Sequence, residues 1–518
     1  GFSNGNVFHA GDGNLHPLLF FDARDSDQLR RVHEAGWELM EACVALGGTI
    51  TGEHGVGMEK IKAMRMVFSE DDLDFQRAIR HAFDPDNRFN PDKIFPARGQ
   101  PERPPEASRR DISGEAALAP ADEDEACDIV LAAFNERRAL LPVGNGRRVD
   151  FGNAPGQTWP AFRRLAIPLR SERLSELIDC DPANQVVTAG AGMKLATLQE
   201  HLSARNQWLA VRPPLVCQSG GEGGCTLGGM VALGACGPER LRYGAPRDLL
   251  LGLRFVSGKG KRISAGGKVV KNVAGYDVTR LMAGSAGTLG FLTELTFRLL
   301  PLPEVCRAVS ARGSLGACAA AAAEILRSNL EPTFVSAAEE EFGVADGDRQ
   351  AWNLTLGFEG FGATVRAQTE SCTTLLKRQG LSGSELLEYT ARLGIHGEKY
   401  DFLFRSAFVV RAGLPPDLVA GFVTDAAGAI HGANLLVDFG CGRVTAGMSD
   451  LSDDDWTRLC DLAKNAQGHV LLEKAPAEFK ERHDVFGPVR PEWKLMHRIK
   501  DALDPHNIFA PGRLPGKR

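Results

Sequence analysis

Ser219-Gly-Gly-Glu-Gly-Gly-Cys-Thr-Leu-Gly-Gly-Met230 carries the densest chemical signal in the chain. Arg242-Tyr-Gly-Ala-Pro-Arg-Asp248, Lys271-Asn-Val-Ala-Gly-Tyr-Asp277 and Gly284-Ser-Ala-Gly-Thr-Leu-Gly290 follow it. Glycine has no Cβ, so the backbone there bends freely and can press its N–H groups against a ligand. Successive amides in such bends form anion-binding concavities, and a helix starting after Gly229 adds its positive end. A pyrophosphate fits that description. A floppy glycine linker does not, because the apolar runs 230–233 and 249–253 punctuate the stretch.

Outward from this stretch, residues 122–302 read as α+β. A helix over 126–137 leads to a buried strand over 139–143 and the tight turn Gly144-Asn145-Gly146. Val186-Val-Thr-Ala-Gly-Ala-Gly192 is a second strand and turn, followed by a helix over 195–204. Gly190-Ala-Gly192 lacks the last glycine of the dinucleotide fingerprint and the acidic ribose partner, which disfavours a nicotinamide-binding Rossmann fold. No Gly-x-x-x-x-Gly-Lys-Ser/Thr occurs, so P-loop chemistry has no support. Residues 303–450 mix an Ala-rich helix over 316–328 with strands at 352–357 and 408–411, as in an antiparallel sheet with helices on one side.

At 518 residues the chain exceeds a single core, and its length suggests about three domains. Hydrophobic content of 43% and charged content of 24% are those of a soluble globular protein. A net charge of −6 argues against nucleic acid as a partner. No apolar stretch approaches the ~20 residues of a membrane span, and no secretory leader opens the chain. Eleven cysteines without a Cys-x-x-Cys fit free thiols in a reducing cytoplasm and argue against iron–sulfur clusters held here. Gly1 stands where a Met is expected, which leaves room for an upstream segment.

The first hundred residues have their own chemistry. Gly5-Asn-Val-Phe-His-Ala-Gly-Asp-Gly-Asn-Leu-His-Pro-Leu-Leu-Phe20 reads as a hairpin around an Asp12-Gly13 turn, which sets His9 opposite His16. Directly opposed Cβ atoms lie about 5 Å apart, so two such imidazoles can share a divalent ion. A helix capped by Ser26 follows, with positions 29, 32, 36, 39, 43 and 46 near one face, and Gly47-Gly48 stop it. Thr49-Ile-Thr-Gly-Glu-His-Gly-Val-Gly57 then supplies Glu53 as a third ligand and His54 as a neighbouring base.

Through His9-Ala-Gly-Asp-Gly-Asn-Leu-His16 and Gly52-Glu-His-Gly-Val-Gly57, residues 1–96 resemble the C-terminal domain of FAD-linked 2-hydroxyacid oxidases. Glycolate oxidase, D-lactate dehydrogenase and D-2-hydroxyglutarate dehydrogenase are members. The resemblance implies that His9, His16 and Glu53 bind a divalent metal, zinc or manganese. It makes His54 the base that takes the hydroxyl proton while hydride goes to the flavin.

The end of the chain repeats the end of this unit. Asp84-Pro-Asp-Asn-Arg-Phe-Asn-Pro91 and Asp504-Pro-His-Asn-Ile-Phe-Ala-Pro511 lie 420 positions apart, as do Glu53 and Glu473, and Gly48 and Gly468. The second copy has lost the chemistry: Lys474 stands for His54, and Asp438 and Thr445 stand for His9 and His16. No metal is expected there.

With the glycine-rich segments, residues 122–302 resemble the FAD-binding module of the vanillyl-alcohol oxidase (PCMH) superfamily. Over 122–518 the chain is similar to the FAD-binding E-type subunits of bacterial glycolate oxidases. By motif, Pro142, Gly144, Asn145 and Gly146 sit at a first phosphate turn, and Gly224, Thr226, Gly228 and Gly229 at a second. Gly287 and Gly290 approach the adenine or ribitol side. Arg247 and Asp248, with Arg242 and Tyr243, either hold FAD or pin their loop. The first turn contains no histidine, so FAD is expected to be non-covalent.

The expected architecture is α+β: a PCMH-type FAD-binding domain (122–302) with an antiparallel-sheet cap domain (303–450) and a C-terminal segment (451–518) returning to the FAD domain. A partial FAD-linked oxidase C-terminal domain (1–96) and a linker (97–121) precede it. The resemblance implies oxidation of a small 2-hydroxy acid, glycolate or D-lactate, by fused D-like and E-like subunits. Implied partners are an iron–sulfur subunit and a chain supplying the first unit's missing flavin domain. The location implied is cytoplasmic, at the inner membrane face through the complex. The alternative is a non-catalytic FAD-binding assembly or electron-relay subunit whose first domain is an inactive fragment.

Overall fold

A computed structural model of the protein describes residues 2–98, 112, 116–153, 166–214, 224–340, 351–392 and 394–517. Of the opening glycine-rich stretch, 224–230 is described; 219–223 and most of the expected linker lie outside the described residues.

The first unit pairs β1 (Ser3–His9) with β2 (Asn14–Phe20), then adds helices Ser26–Ala45, Met64–Val67 and Glu70–Phe83. The hairpin register differs from the sequence expectation. The turn takes the four residues 10–13, so His9 faces Asn14 and His16 faces Val7. The Asp12 amide donates to the His9 carbonyl at 3.1 Å, and Gly13 supplies the left-handed residue at φ 65°. Asp25, not Ser26, caps the helix that follows, accepting from the amides of Asp27 and Gln28. No residue of that helix is buried. Ile50, Val56, Met64, Phe68 and Leu73 form a small core that closes on Ala274 of the next domain.

The middle domain contains the helix Glu123–Glu136 and strands β3 (Leu140–Val143), β4 (Ile167–Arg170), β5 (Leu177–Asp181), β6 (Val186–Gly190), β7 (Gln207–Trp208), β8 (Leu250–Ser257), β9 (Arg262–Gly266), β10 (Gly290–Arg298) and β11 (Leu300–Pro301). β3 and β4 pair in parallel, β7 pairs with β11, and an antiparallel sheet runs β5-β6-β10-β8-β9. Leu118 already bridges Leu169 and is buried, so the domain starts inside the expected linker.

The cap contains β12 (Val305–Gly313), β13 (Phe334–Glu339), β14 (Trp352–Gly360), β15 (Ser382–Glu388), β16 (Phe408–Gly413), β17 (Asn434–Asp438), β18 (Arg443–Met448) and β19 (His469–Lys474). They form one antiparallel sheet in the order β15-β12-β14-β13-β17-β18-β16-β19. The Ala-rich helix Leu315–Arg327 buries Cys318, Ala321, Ala322 and Ile325, a 3–4 spacing that lays one face in the sheet's core. Because β19 pairs with β16, the cap extends past residue 450. The return to the middle domain falls at the helix Trp493–Leu503 and the bridge from Phe509 to Leu140.

The sequence repeat is also a structural repeat. Asp84 accepts from the amides of Arg88 and Phe89, both at 2.8 Å; Asp504 accepts from those of Ile508 and Phe509 at 3.0 and 2.9 Å. Asn87 and Asn507 share φ near 50°, as the same turn requires. The two helices that lead into these turns, Glu70–Phe83 and Trp493–Leu503, pack against each other. Phe75, Ile79 and Ala82 thereby enter the same core as Ile499 and Leu503.

Candidate functional site

Two separate sites emerge. At the first, the hairpin and the 49–57 segment bring His9, His16 and Glu53 together, with one ligand atom from each within 4.8 Å of the others. His9 Nε2 lies 3.7 Å and His16 Nε2 3.4 Å from the Glu53 carboxylate. The register shift does not separate the imidazoles. Residues two apart share a sheet face, so His9 and His16 meet diagonally with ring centroids 5.5 Å apart. His54 stands beside them, 5.4 Å from the His16 ring. Ligands around a tetrahedral ion at ~2.1 Å stand roughly 3.4 Å apart, so small side-chain rotations suffice to hold one, and two imidazoles with a carboxylate are ligands that suit zinc or manganese.

A further participant comes from the middle domain. The Lys271 ammonium bonds Glu53 and lies 2.9 Å from Asp12 Oδ2. It holds the Glu53 carboxyl below the usual carboxylate range, and both acids push the lysine upward in turn. Tertiary packing turns Lys271 into this cluster.

The second site is a cleft between the middle domain and the cap, open to solvent. Pro142, Gly144, Asn145, Gly146, Thr226, Gly228, Gly229, Gly287 and Gly290 line it. Gly224 stands at its edge, where its carbonyl accepts from Asn145 Nδ2 at 2.5 Å. Arg247 and Asp248 do not line it. Asp248 is spent accepting from the Ala245 amide at 2.8 Å, and Arg247 points to solvent, so the pair pins its own loop.

The glycines divide by role. A Cβ at Gly144 would strike Thr226 Oγ1 at 2.1 Å, and one at Gly290 would strike Phe255 at 2.7 Å, so both are needed for protein packing. Gly146, at φ 73°, and Gly224 have nothing within 4 Å of a Cβ position and face open space. The helix expected after Gly229 is Leu227–Leu233, and its first amides are already committed: Leu227 donates to Met193 and Gly228 to Ala191. Positive charge reaches the cavity instead as Arg147, Arg148, Arg411 and Arg513 against the single carboxylate of Glu473. Surplus positive charge and apolar walls at Phe151, Met230, Leu233 and Phe291 suit a dinucleotide such as FAD.

The arginines were not foreseen. Glu473, the counterpart of Glu53, accepts from Arg148 at 2.8 Å and Arg411 at 2.5 Å. Burial pushes its carboxyl upward, but the guanidinium groups outweigh burial and bring it down to about 2. Lys474, the counterpart of His54, donates to the Phe404 carbonyl. Burial carries Asp438 up to about 7. Neither His9, His16, Glu53 nor His54 lines the cavity.

Residues 1–94 and 487–514 match the family described as FAD linked oxidases, C-terminal domain, and residues 115–266 match the FAD binding domain family. The chain is 32% identical to glycolate oxidase subunit GlcE of Escherichia coli over 384 residues, covering 74% of this chain and 94% of that subunit. Over 91 residues it is 50% identical to glycolate oxidase subunit GlcD of Escherichia coli, and it spans 18% of that subunit's length. D-lactate dehydrogenase of Archaeoglobus fulgidus is 26% identical, with 80% of this chain and 95% of that protein covered. Among solved structures, alkyldihydroxyacetonephosphate synthase has the same fold at a TM-score of 0.55 and 17% identity, covering 76% of this chain and 75% of that one.

Proposed function

The chain belongs to the FAD-linked oxidase family, homologous to both the GlcE and the GlcD subunits of glycolate oxidase, and from that premise we propose that it serves the oxidation of a small 2-hydroxy acid to the 2-oxo acid. The substrate is glycolate or D-lactate, and the chain acts as fused D-like and E-like subunits of a glycolate oxidase complex. The observation that carries this reading is the convergence of His9, His16, Glu53 and His54 in one solvent-accessible cluster.

His9, His16 and Glu53 would hold a divalent metal, zinc or manganese, which supplies Lewis acidity toward the substrate hydroxyl. His54 stands where it can accept the hydroxyl proton. FAD, held non-covalently, supplies the two-electron acceptor of the family. Gly146 and Gly224 leave backbone room at the cavity and its edge, and Arg147, Arg148, Arg411 and Arg513 would offset the charge of a bound pyrophosphate. The turn Val143-Gly-Asn-Gly-Arg147 contains no histidine for a covalent link.

The cluster and the cavity are distinct, so the cluster would draw on a flavin other than the one this cavity holds. Phe89 supports this: it is 74% exposed, whereas its counterpart Phe509 is fully buried beside Leu140 of a flavin-type domain. An iron–sulfur subunit would take the electrons onward, in a complex at the cytoplasmic face of the membrane. Among the described residues no helix is long and apolar enough to cross one.

A second reading applies to the E-like part alone. Lys474 in place of a base, and Glu473 held by two arginines, favour an assembly or electron-relay role for that flavin.

The test uses the reconstituted complex. His54→Gln should lower glycolate-dependent dye reduction by about 100-fold or more, as loss of a general base does. Chelation should abolish turnover and leave the flavin spectrum intact. Full activity in either case removes the cluster from the chemistry.

A further inference from the structure

Lys271 belongs to the middle domain, yet its charged end sits in the first unit's cluster. Its placement is fixed by the backbone around it. The Val273 amide donates to the Thr51 carbonyl at 3.2 Å, Thr49 Oγ1 to Asn272 Oδ1 at 3.1 Å, and Ala274 is buried in the first unit's core. Among the described residues it is the only lysine or arginine paired with Asp12 or Glu53.

We propose that Lys271, supplied across the domain boundary, is the residue that receives the substrate carboxylate at the His9–His16–Glu53–His54 site. The proposal rests on the metal-assisted reading above. Charge points the same way. The two carboxyl side chains, Asp12 and Glu53, match the charge of a divalent cation, and Lys271 adds one positive charge to that set. A monocarboxylic 2-hydroxy acid brings the single negative charge that cancels it. Geometry agrees as well. Once Glu53 serves a cation, the ammonium keeps Asp12 at 2.9 Å and has two of its three donors left for a carboxylate. Lys271 and Glu53 are each about one-third exposed, so a small acid reaches both from solvent.

The fused middle domain thereby acquires a second role. Besides enclosing its own cavity, it completes the recognition element of its neighbour. Lys271 is a specificity-determining residue on this account, not the base. Its loss should weaken anion binding and leave the metal in place.

The experiment uses the full chain, Mn²⁺ as the metal and oxalate as an unreactive carboxylate probe, with free Mn²⁺ followed by electron paramagnetic resonance and oxalate by calorimetry. Lys271→Met should bind Mn²⁺ as tightly as the parent or more so, because a competing cation is gone from Glu53. Its oxalate affinity should fall about tenfold or more, the scale of a lost charge-assisted hydrogen bond. Lys271→Arg should recover most of that loss. Lys271→Gln, which keeps a donor toward Asp12, carries the same test if Lys271→Met lowers the thermal midpoint. Unchanged oxalate affinity in a chain that still binds Mn²⁺ overturns the role of the lysine alone. A parent chain that binds no Mn²⁺ overturns the metal reading and this proposal with it.

Discussion

At the residue scale, one motif occurs in two settings, and burial decides what each is worth. Asp504 sits with Lys500 in a fully buried ion pair at 2.5 Å, and Lys500 also donates to the carbonyls of Thr288 and Phe509 at 2.7 and 3.0 Å. Asp84 makes the same two turn bonds with no buried lysine beneath it; Arg80 fills that place and bonds the Asn90 carbonyl at 3.0 Å. Asp504→Ala should therefore cost about 3–5 kcal/mol, because it strands a buried charge. Asp84→Ala should cost about 1–2 kcal/mol. Denaturant unfolding of both variants measures the contrast. A pH effect belongs here too. Burial raises Asp438 to about 7, so its contribution to stability is fully present below about pH 4 and is lost as pH rises through 7. Glu473, brought down to about 2, acts oppositely: its contribution is present above about pH 4.5 and is lost toward pH 2. Asp438→Asn should flatten the decline between pH 4 and 7, an effect of at most about 4 kcal/mol, read from unfolding free energies across that range.

At the element scale, equivalent hairpins differ in what surrounds them. β17 and β18 lie inside the eight-stranded sheet, flanked by β13 and β16, and their side chains are almost all buried. β1 and β2 pair only with each other, and Val7, Phe8, Leu15 and Phe20 stay more than half exposed. A two-stranded ribbon with open edges is marginally stable. Amide exchange should accordingly be fast throughout β1 and β2 and slow in β17 and β18, as peptide-resolved hydrogen exchange would report. Equal protection of the two hairpins in the isolated chain would contradict this. The helix Ser26–Ala45, with none of its residues buried, should exchange with β1 and β2.

At the scale of the whole molecule, the first unit is anchored on the middle domain through the paired helices, yet His9, His16, Glu53 and His54 stand apart from the cavity. Hydride transfer needs reacting atoms about 3–3.5 Å apart. The isolated chain should thus bind one FAD, released by acid, and keep it oxidised when glycolate is added without oxygen; bleaching of its visible spectrum would show that cluster and cavity do communicate. Much of this organisation was legible in the sequence. Local motifs carried the His9–His16–Glu53 cluster, the glycine turns and the two copies of the repeat, because each depends on residue types at short spacing. The spacing did not reveal the hairpin register, since a two-residue and a four-residue turn suit the same Asp-Gly. Nor did it reveal the arginines on Glu473, the pinning role of Asp248, or the reach of Lys271 into a neighbour, for each is a contact that only the folded backbone sets. By itself the sequence determined which chemical groups the protein owns and which local turns present them. Tertiary structure alone decided which charges meet, because long-range packing sets the distances and burial on which Coulomb energy depends.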